Sequence, residues 1–220
     1  AMDVPVVVDN TFATALVQRP LQLGATLSLT STTKYINGHS DALGGAVCTD
    51  DPAWHQKMVF AQKALGLQPS PFDCWLITRG IKTLPLRLKQ QMANAAALAD
   101  HLANHPQVNW VRYPHRPDHP QQGVAMQQMS SGGAIVTIGV EANRDQAYAT
   151  CKALQWFTMA ESLGGVESLI CHPATMTHAA VSTEVKQKLG ISDGLIRLSV
   201  GCEEASDLIA DLDQALRLLR

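Results

Sequence analysis

Two short segments, VPVVVDNTFAT (residues 4–14) and TLSLTSTTK (residues 26–34), decide the fold class of this chain. Each begins with apolar or β-branched residues, at 4–8 and at 26–30, and then turns polar. Continuous β-branched runs are typical of strands buried on both faces, as in a parallel sheet. A third run, at 45–49, follows a turn-rich stretch. We therefore predict a piece of a mostly parallel α/β sheet with strands at these three positions.

Helix signals follow the third run. Asp51 and Pro52 provide an N-cap and a proline in the first helical turn, and Gly66 lies where a helix would end. These signals predict a helix over residues 52–65. After a proline-rich breaker the pattern is helical again, and Pro85 marks a kink or a junction between two helices.

The second half of the sequence has a different pattern. Residues 108–113, 134–140 and 195–200 alternate between apolar and polar residues, as half-buried strands do, and helical segments lie between them. The last of these helices is predicted to pack inward through Leu208, Ile209, Leu212, Ala215, Leu216 and Leu219. We therefore predict two domains: residues 1–85, holding the partial large sheet, and residues 86–220, a smaller α+β domain.

Composition excludes several classes of function. The 220 residues hold 17 Lys and Arg against 19 Asp and Glu, so no positive field is available to hold nucleic acid or an anionic membrane. No apolar run approaches the roughly 18 residues that span a bilayer, and the first segment does not look like a signal peptide. We expect a soluble, cytoplasmic protein. The five cysteines form no CxxC pair, and no metal site is predicted.

Two polar groups follow the first two predicted strands. In open α/β sheets ligands bind beyond the carboxyl ends of the strands, and these ends place Asp9 and Lys34 at one edge. In an extended chain Ser31 and Thr33 face one side while Thr32 and Lys34 face the other. A lysine near apolar surroundings has a lowered pKa and reacts with aldehydes, and hydroxyls suit a phosphate. The alternative is that Lys34 is an ordinary solvated residue at a strand end.

Five segments, in this order, resemble the transsulfuration enzymes: DNTFAT (9–14), STTKYINGHSD (31–41), PSPFDCWLITRGIKTL (69–84), AESLGGVESLICHPATMTH (160–178) and DGLIRLSVGCEEASDLIADLDQAL (193–216). These are pyridoxal-phosphate enzymes of the aminotransferase-like fold (fold type I). Within the family the resemblance is greatest to the cystathionine γ-lyase and γ-synthase branches. It covers essentially the whole chain, and it implies pyridoxal 5'-phosphate as the cofactor.

The resemblance implies roles for the residues after the first two strands. Lys34 matches the lysine that binds the cofactor covalently and then moves protons, which makes it the catalytic residue. Asp9 matches the carboxylate that pairs with the pyridine nitrogen. Thr11 matches a residue in contact with the cofactor, and Ser31 and Thr33 match hydroxyls that bind its phosphate.

It also implies a substrate site. Arg197 matches the guanidinium that binds the substrate α-carboxylate, for which a planar fork is well suited. Ser162 matches a residue near the lysine and the substrate carboxylate, and Glu161 matches a position of substrate recognition. The pattern alone instead favours an outward-facing strand residue for Arg197 and a helix N-cap region before Gly164 and Gly165 for Glu161 and Ser162.

The implied activity is γ-elimination of a sulfur amino acid, namely the cleavage of cystathionine to cysteine, 2-oxobutanoate and ammonia. One alternative is the γ-synthase reaction, in which cysteine replaces the leaving group of an activated homoserine ester. Family chains are nearly twice this length, and this one resembles their C-terminal part only. We therefore expect a fragment, a truncation or one half of a split protein, and a further alternative is an inactive chain that acts as an assembly partner. The resemblance also implies a homotetramer, built as a dimer of dimers.

Overall fold

The structure is a computed structural model that describes residues 4–219, and its strands form two separate sheets. The first sheet has the order β1 (Val7–Asp9), β2 (Leu27–Ser31), β3 (Gly45–Cys48). β1 and β2 are parallel, and β3 runs antiparallel to β2. The three strands predicted for this half of the chain are confirmed.

The prediction that the first run is buried on both faces is wrong. Val4, Val6 and Val7 are 62%, 51% and 56% exposed. The physical reason is that β1 is an edge strand, paired only with β2 in the part of the chain that the structure describes. The β-branched residues of β1 therefore favour a strand, but no layer of the described structure covers and buries them.

Helices follow β3 where the sequence predicts them. Short helical turns at α1 (Thr14–Val17) and Pro20–Leu23 join β1 to β2. α2 (Pro52–Leu65) begins at an Asp51 side chain that accepts hydrogen bonds from two backbone amides of its first turn. It ends at Gly66, whose φ of 68° is the left-handed conformation that favours glycine. Local signals are sufficient here, and the predicted helix is confirmed.

The region around Pro85 is a junction between helices. α3 (Pro71–Gly80) leads through a 3-10 turn, Ile81–Thr83, into the long helix α4 (Leu84–Leu102). Pro85 lies in the first turn of α4, where a missing N–H costs little. A domain boundary at Pro85 stays a prediction.

The second sheet has five strands in the order β4-β5-β8-β7-β6. All its pairs are antiparallel except β6–β7. The strands are β4 (Val108–Arg112), β5 (Ile135–Val140), β6 (Thr158–Met159), β7 (Leu169–Cys171) and β8 (Leu195–Ser199). The helices of this half are α5 (Gln122–Gln128), α6 (Arg144–Lys152), α7 (Thr183–Lys188) and α8 (Ala205–Leu216).

The hydrophobic core lies between this sheet and the helices α4, α6 and α8. The inward face predicted for the last helix is confirmed, because its apolar residues are buried or packed against the core. Burying each of its leucines contributes about 1.5–3 kcal/mol to stability. None of the helices within residues 4–219 is long and apolar enough to cross a bilayer.

One buried carboxylate organises the approach to β6. Asp211 of α8 is 5% exposed and accepts hydrogen bonds from the backbone amides of Gln155 (2.9 Å), Trp156 (2.8 Å) and Phe157 (3.4 Å). Within residues 4–219 these three amides are not paired with a neighbouring strand, so the carboxylate of Asp211 provides the hydrogen-bond acceptor that they need.

We predict that Asp211→Ala lowers the free energy of unfolding by about 3 kcal/mol, because it leaves three backbone amides, that of the buried Phe157 among them, without their acceptor. Urea denaturation followed by circular dichroism measures this change. Asp207→Ala, at an exposed position in the first turn of the same helix, is the matched control and should change stability by less than about 1 kcal/mol. Equal stability of the two variants would contradict the role given to Asp211.

Candidate active site

Lys34 lies in a wide helical turn, Thr32–Ile36, that follows β2 directly. The amide of Asn37 closes this turn by donating to the carbonyl of Thr32 (2.9 Å). Lys34 itself departs from helical geometry, with φ −89° and ψ −127°. The expectation of an extended chain here, with alternating side chains, is wrong, because the backbone hydrogen bonds close a turn where β-branched threonines suggest a strand.

The amine of Lys34 contacts the second sheet. Lys34 Nζ donates a hydrogen bond of 2.9 Å to the hydroxyl of Ser162, in the loop between β6 and β7. Arg197 of β8 donates from Nη2 to the carbonyl oxygen of the same serine at 3.0 Å. The structure therefore brings together three of the predicted site residues from distant parts of the chain.

The environment of Lys34 changes the pKa of its amine. Burial lowers the pKa of Lys34, and the neighbouring Arg197 guanidinium lowers that pKa further. A lowered pKa is what the sequence analysis expects for a lysine near apolar surroundings. A larger fraction of the amine is therefore neutral near pH 7 than in a solvated lysine.

Asp9 and Thr11 link the ends of β1 and β2. Asp9 Oδ1 accepts hydrogen bonds from the amide of Thr11 (3.0 Å) and from its hydroxyl (2.6 Å). The same hydroxyl oxygen accepts from the amide of Ser31 at 2.8 Å. Thr11 thus orients the carboxylate of Asp9 relative to the start of the Lys34 turn.

Asp9 and Lys34 lie at the same edge of the first sheet but do not contact each other. Lys34, Thr33 and Ser162 line a cavity of about 710 Å³, whereas Asp9 lines a second cavity of about 430 Å³ together with Thr137. No hydrogen bond or ion pair joins Asp9 to Lys34 in the described structure.

The predicted phosphate-binding hydroxyls have different surroundings. Thr33 Oγ1 accepts from the amide of Gly44 at 2.9 Å, which fixes it against the loop that precedes β3. Its own proton has only a longer contact, 3.3 Å, to the Gly44 carbonyl oxygen. The hydroxyl of Ser31 makes no hydrogen bond among the described residues, so it is available to a ligand.

Like Asp9, Glu161 is a predicted residue that the structure does not bring into contact with the Lys34 amine. Its side chain is exposed, and it makes no hydrogen bond or ion pair within residues 4–219. Three acidic residues that were not among the predicted site residues, Asp41, Asp73 and Glu167, line the cavity beside Lys34. Glu167 accepts a hydrogen bond from Ser40, whose φ of 57° is unusual for a residue with a side chain. No local sequence signal marks any of the three carboxylates.

Arg197 has a buried donor without a partner among the described residues. Its Nε is buried and has no acceptor among the described residues, although Nη2 is bonded to the Ser162 carbonyl. A buried N–H without an acceptor is unfavourable, so an anionic group placed beside it would be strongly held. In the register of the sheet Arg197 lies opposite Thr137 of β5, and both side chains are on one face.

Comparisons with known proteins agree along the whole chain. The family model described as Cys/Met metabolism PLP-dependent enzyme matches residues 1–217. The cystathionine γ-lyase of Dictyostelium discoideum is 49% identical over 210 residues, which are 96% of this chain and 54% of that protein. The cystathionine β-lyase of Coxiella burnetii is 47% identical over 211 residues, again 96% of this chain and 54% of that protein.

A solved structure shows the same arrangement of elements. The cystathionine γ-synthase of Xanthomonas oryzae pv. oryzae, solved in complex with aminoacrylate and cysteine, superposes with a TM-score of 0.95 at 49% identity. The match covers 98% of this chain and 56% of that one. The present chain thus spans about half the length of the relatives it matches.

We predict that Arg197→Met moves the pH dependence of Lys34 acetylation to higher pH, because it removes a positive charge that lowers the pKa of the lysine. The rate is followed from about pH 7 to about pH 11 by mass spectrometry of the peptide that holds Lys34. Arg112→Met, on β4 of the same sheet, is the control and should leave the profile unchanged. A profile for Arg197→Met at or below that of the unmodified protein would contradict the proposed coupling.

Proposed function

Because the chain belongs to the Cys/Met metabolism PLP-dependent enzyme family, we propose that the complete protein binds pyridoxal 5'-phosphate at Lys34 and acts on a sulfur amino acid. The fold is part of fold type I of the pyridoxal-phosphate enzymes. The observation that carries the proposal is the contact between the Lys34 amine, Ser162 and Arg197.

The residues present fit this cofactor. Lys34 has an amine whose pKa is lowered by burial, as covalent attachment to an aldehyde requires. Ser31 has a free hydroxyl, and Thr33 has a proton in only a long contact, so both are suited to phosphate oxygens. Asp9, oriented by Thr11, is an exposed carboxylate suited to a protonated ring nitrogen.

The chain's own groups then have distinct tasks. When bound, pyridoxal phosphate supplies an electron-withdrawing ring that stabilises negative charge at the substrate α-carbon. Lys34 accepts the α-proton and carries protons toward the β-carbon, as one base held close to both positions. Ser162 holds the amine in place through its hydroxyl. Arg197 binds the substrate α-carboxylate with its free Nε–H, which fixes the orientation of the α-carbon.

We propose γ-elimination as the reaction, in which cystathionine and water give cysteine, 2-oxobutanoate and ammonia. Glu161 is proposed to contact the distal part of the substrate. The second candidate is γ-replacement of an activated homoserine ester by cysteine, which the match to the Xanthomonas γ-synthase favours. The two activities use the same groups around Lys34, so the contacts to the leaving and entering sulfur decide between them.

The partners proposed are a small amino-acid substrate and further copies of the chain, in a dimer of dimers. Exposed aromatic side chains on the first half support an additional protein surface there: Phe60, Phe72 and Trp75 are 73%, 65% and 59% exposed. Neither nucleic acid nor a membrane is proposed as a partner.

Cofactor attachment tests the role proposed for Lys34. Added pyridoxal phosphate should give a visible absorbance band that borohydride removes, leaving a pyridoxyl label on the peptide that holds Lys34. Lys34→Ala should give neither the band nor the label, whereas Lys82→Ala, an exposed lysine, should retain both. If the unmodified protein carries no label on Lys34, the non-catalytic alternative applies.

The substrate is tested by steady-state assays of the complete protein. Cystathionine alone should release 2-oxobutanoate faster than an activated homoserine ester plus cysteine releases cystathionine. A preference for the ester would overturn the order of the two candidates and leave the cofactor site unaffected.

We further predict that Asp9→Asn slows turnover by about 100-fold or more, because the neutral amide cannot hold a positive charge on the ring nitrogen. Attachment at Lys34, read from absorbance, should persist. Asp50→Asn, at an exposed position after β3, is the control. Turnover of Asp9→Asn equal to that of the control would refute the role of Asp9.

A further inference from the structure

Three polar side chains lie on the buried face of α4. Arg87, Gln91 and Asn94 are 7%, 0% and 2% exposed, although the helix otherwise buries leucine and alanine. Their spacing of four and three residues places them in one line along the helix. Burial of such groups is unfavourable unless each is hydrogen-bonded, so their partners explain their presence.

Arg87 binds the backbone that carries Lys34. Its Nη1 donates to the carbonyl of Tyr35 (3.0 Å), and its Nη2 donates to the carbonyls of Ile36 (3.3 Å) and Gly80 (3.0 Å). Its Nε donates to the hydroxyl of Thr83 (3.0 Å). These groups join the end of α3, the start of α4 and the Lys34 turn through one side chain.

The guanidinium has no carboxylate partner. Among the ion pairs within residues 4–219, none includes Arg87, and burial lowers its pKa. A buried cation held only by neutral groups, here three carbonyls and one hydroxyl, is weak evidence of a stabilising role, because desolvation opposes it. The loop is also shaped around the guanidinium. A side chain at Gly38, which has φ 73°, would collide with Arg87 Nη1.

Gln91 and Asn94, the other two buried polar residues of α4, bind the backbone of the segments that carry Ser162 and Arg197. Gln91 Nε2 donates to the carbonyl of Gly165 at 2.6 Å, three residues after Ser162. Asn94 Nδ2 donates to the carbonyls of Gly201 (3.1 Å) and Glu203 (2.7 Å), just after β8. One helix face therefore sets the position of both partners of the Lys34–Ser162 hydrogen bond.

We propose that Arg87 is a positioning residue for Lys34: it anchors the two carbonyls that follow Lys34, so that the amine stays within hydrogen-bond reach of Ser162. Arg87 touches neither the amine nor the cavity beside it, and it acts through the backbone alone. The inference rests on the function proposed for Lys34, but its test needs neither cofactor nor turnover.

The experiment measures acetylation of Lys34 in the complete, cofactor-free protein. The quantity is the rate near pH 8 divided by the rate near pH 10.5, which cancels changes in exposure of the amine. In Arg87→Met the turn is released, the amine leaves its buried position beside Arg197, and the ratio should fall at least about threefold. Lys89→Met, at an exposed position on the same helix, should leave the ratio unchanged.

Conservative variants separate positioning from stability. Arg87→Lys keeps the charge but cannot reach four acceptors, so its ratio should lie between those of the unmodified protein and Arg87→Met. Thr83→Val removes the acceptor of Nε together with the hydrogen bond from the Thr83 hydroxyl to the Gly80 carbonyl (3.1 Å). It should lower the ratio slightly, which keeps the test available if Arg87→Met does not fold. The charged groups near the amine, unchanged in every variant, are Arg197, Asp41, Asp73 and Glu167.

A folded Arg87 variant with a lower unfolding temperature and an unchanged ratio would overturn the proposal, since that is the result of a merely structural role. An unchanged ratio in Thr83→Val, if it is the only variant that folds, would overturn it as well. Failure of the protein to attach pyridoxal phosphate would instead count against the proposed function and leave this result standing.

Discussion

The hydrogen bond between Lys34 Nζ and the Ser162 hydroxyl joins two sheets that share no strand, and the candidate site depends on it. It requires the loop before β7 to approach the Lys34 turn very closely. Gly164 makes this possible: its φ is 80°, and a Cβ there would lie 2.7 Å from the amide nitrogen of Tyr35. Its own amide donates to the hydroxyl of Ser199 at 2.8 Å, which ties the loop to β8. The contact between the Lys34 amine and the Ser162 hydroxyl therefore depends on the close packing of the backbone at Gly164.

Much of the fold follows from local signals, and the structure confirms them. The ends of α2 were predictable because a capping aspartate and a terminal glycine act within one helical turn. Three strands of the second sheet, β4, β5 and β8, and the inward face of α8 follow from side-chain periodicity, because one face of each is buried against a single core. The short strands β6 and β7 were not predicted, because two or three residues are too few to show a period. These features need no knowledge of distant parts of the chain.

Features that depend on tertiary structure were not predictable in this way. β1 has the composition of a fully buried strand, but burial depends on layers that a local run cannot specify. An arginine near the start of a helix usually lies at the surface. Only the position of Arg87 between two leucines of the buried face suggests that its side chain is buried. The roles proposed for Asp9 and Arg197 rest on the family resemblance, because ordinary residues are common at a strand end and in an alternating strand. The sequence pattern did not predict the Lys34 turn, because its threonines favour a strand.

The charge arrangement also has a consequence for the proposed chemistry. Arg197 lowers the pKa of Lys34, while its own Nε–H has no acceptor in the part of the chain that the structure describes. A carboxylate bound at that N–H neutralises much of the guanidinium field, because the two charges are then in contact while Lys34 senses their sum. In the function proposed above, the pKa of the amine would therefore rise when an amino-acid carboxylate binds. A larger neutral fraction before binding and a higher proton affinity afterwards are both properties that suit a base at the α-carbon.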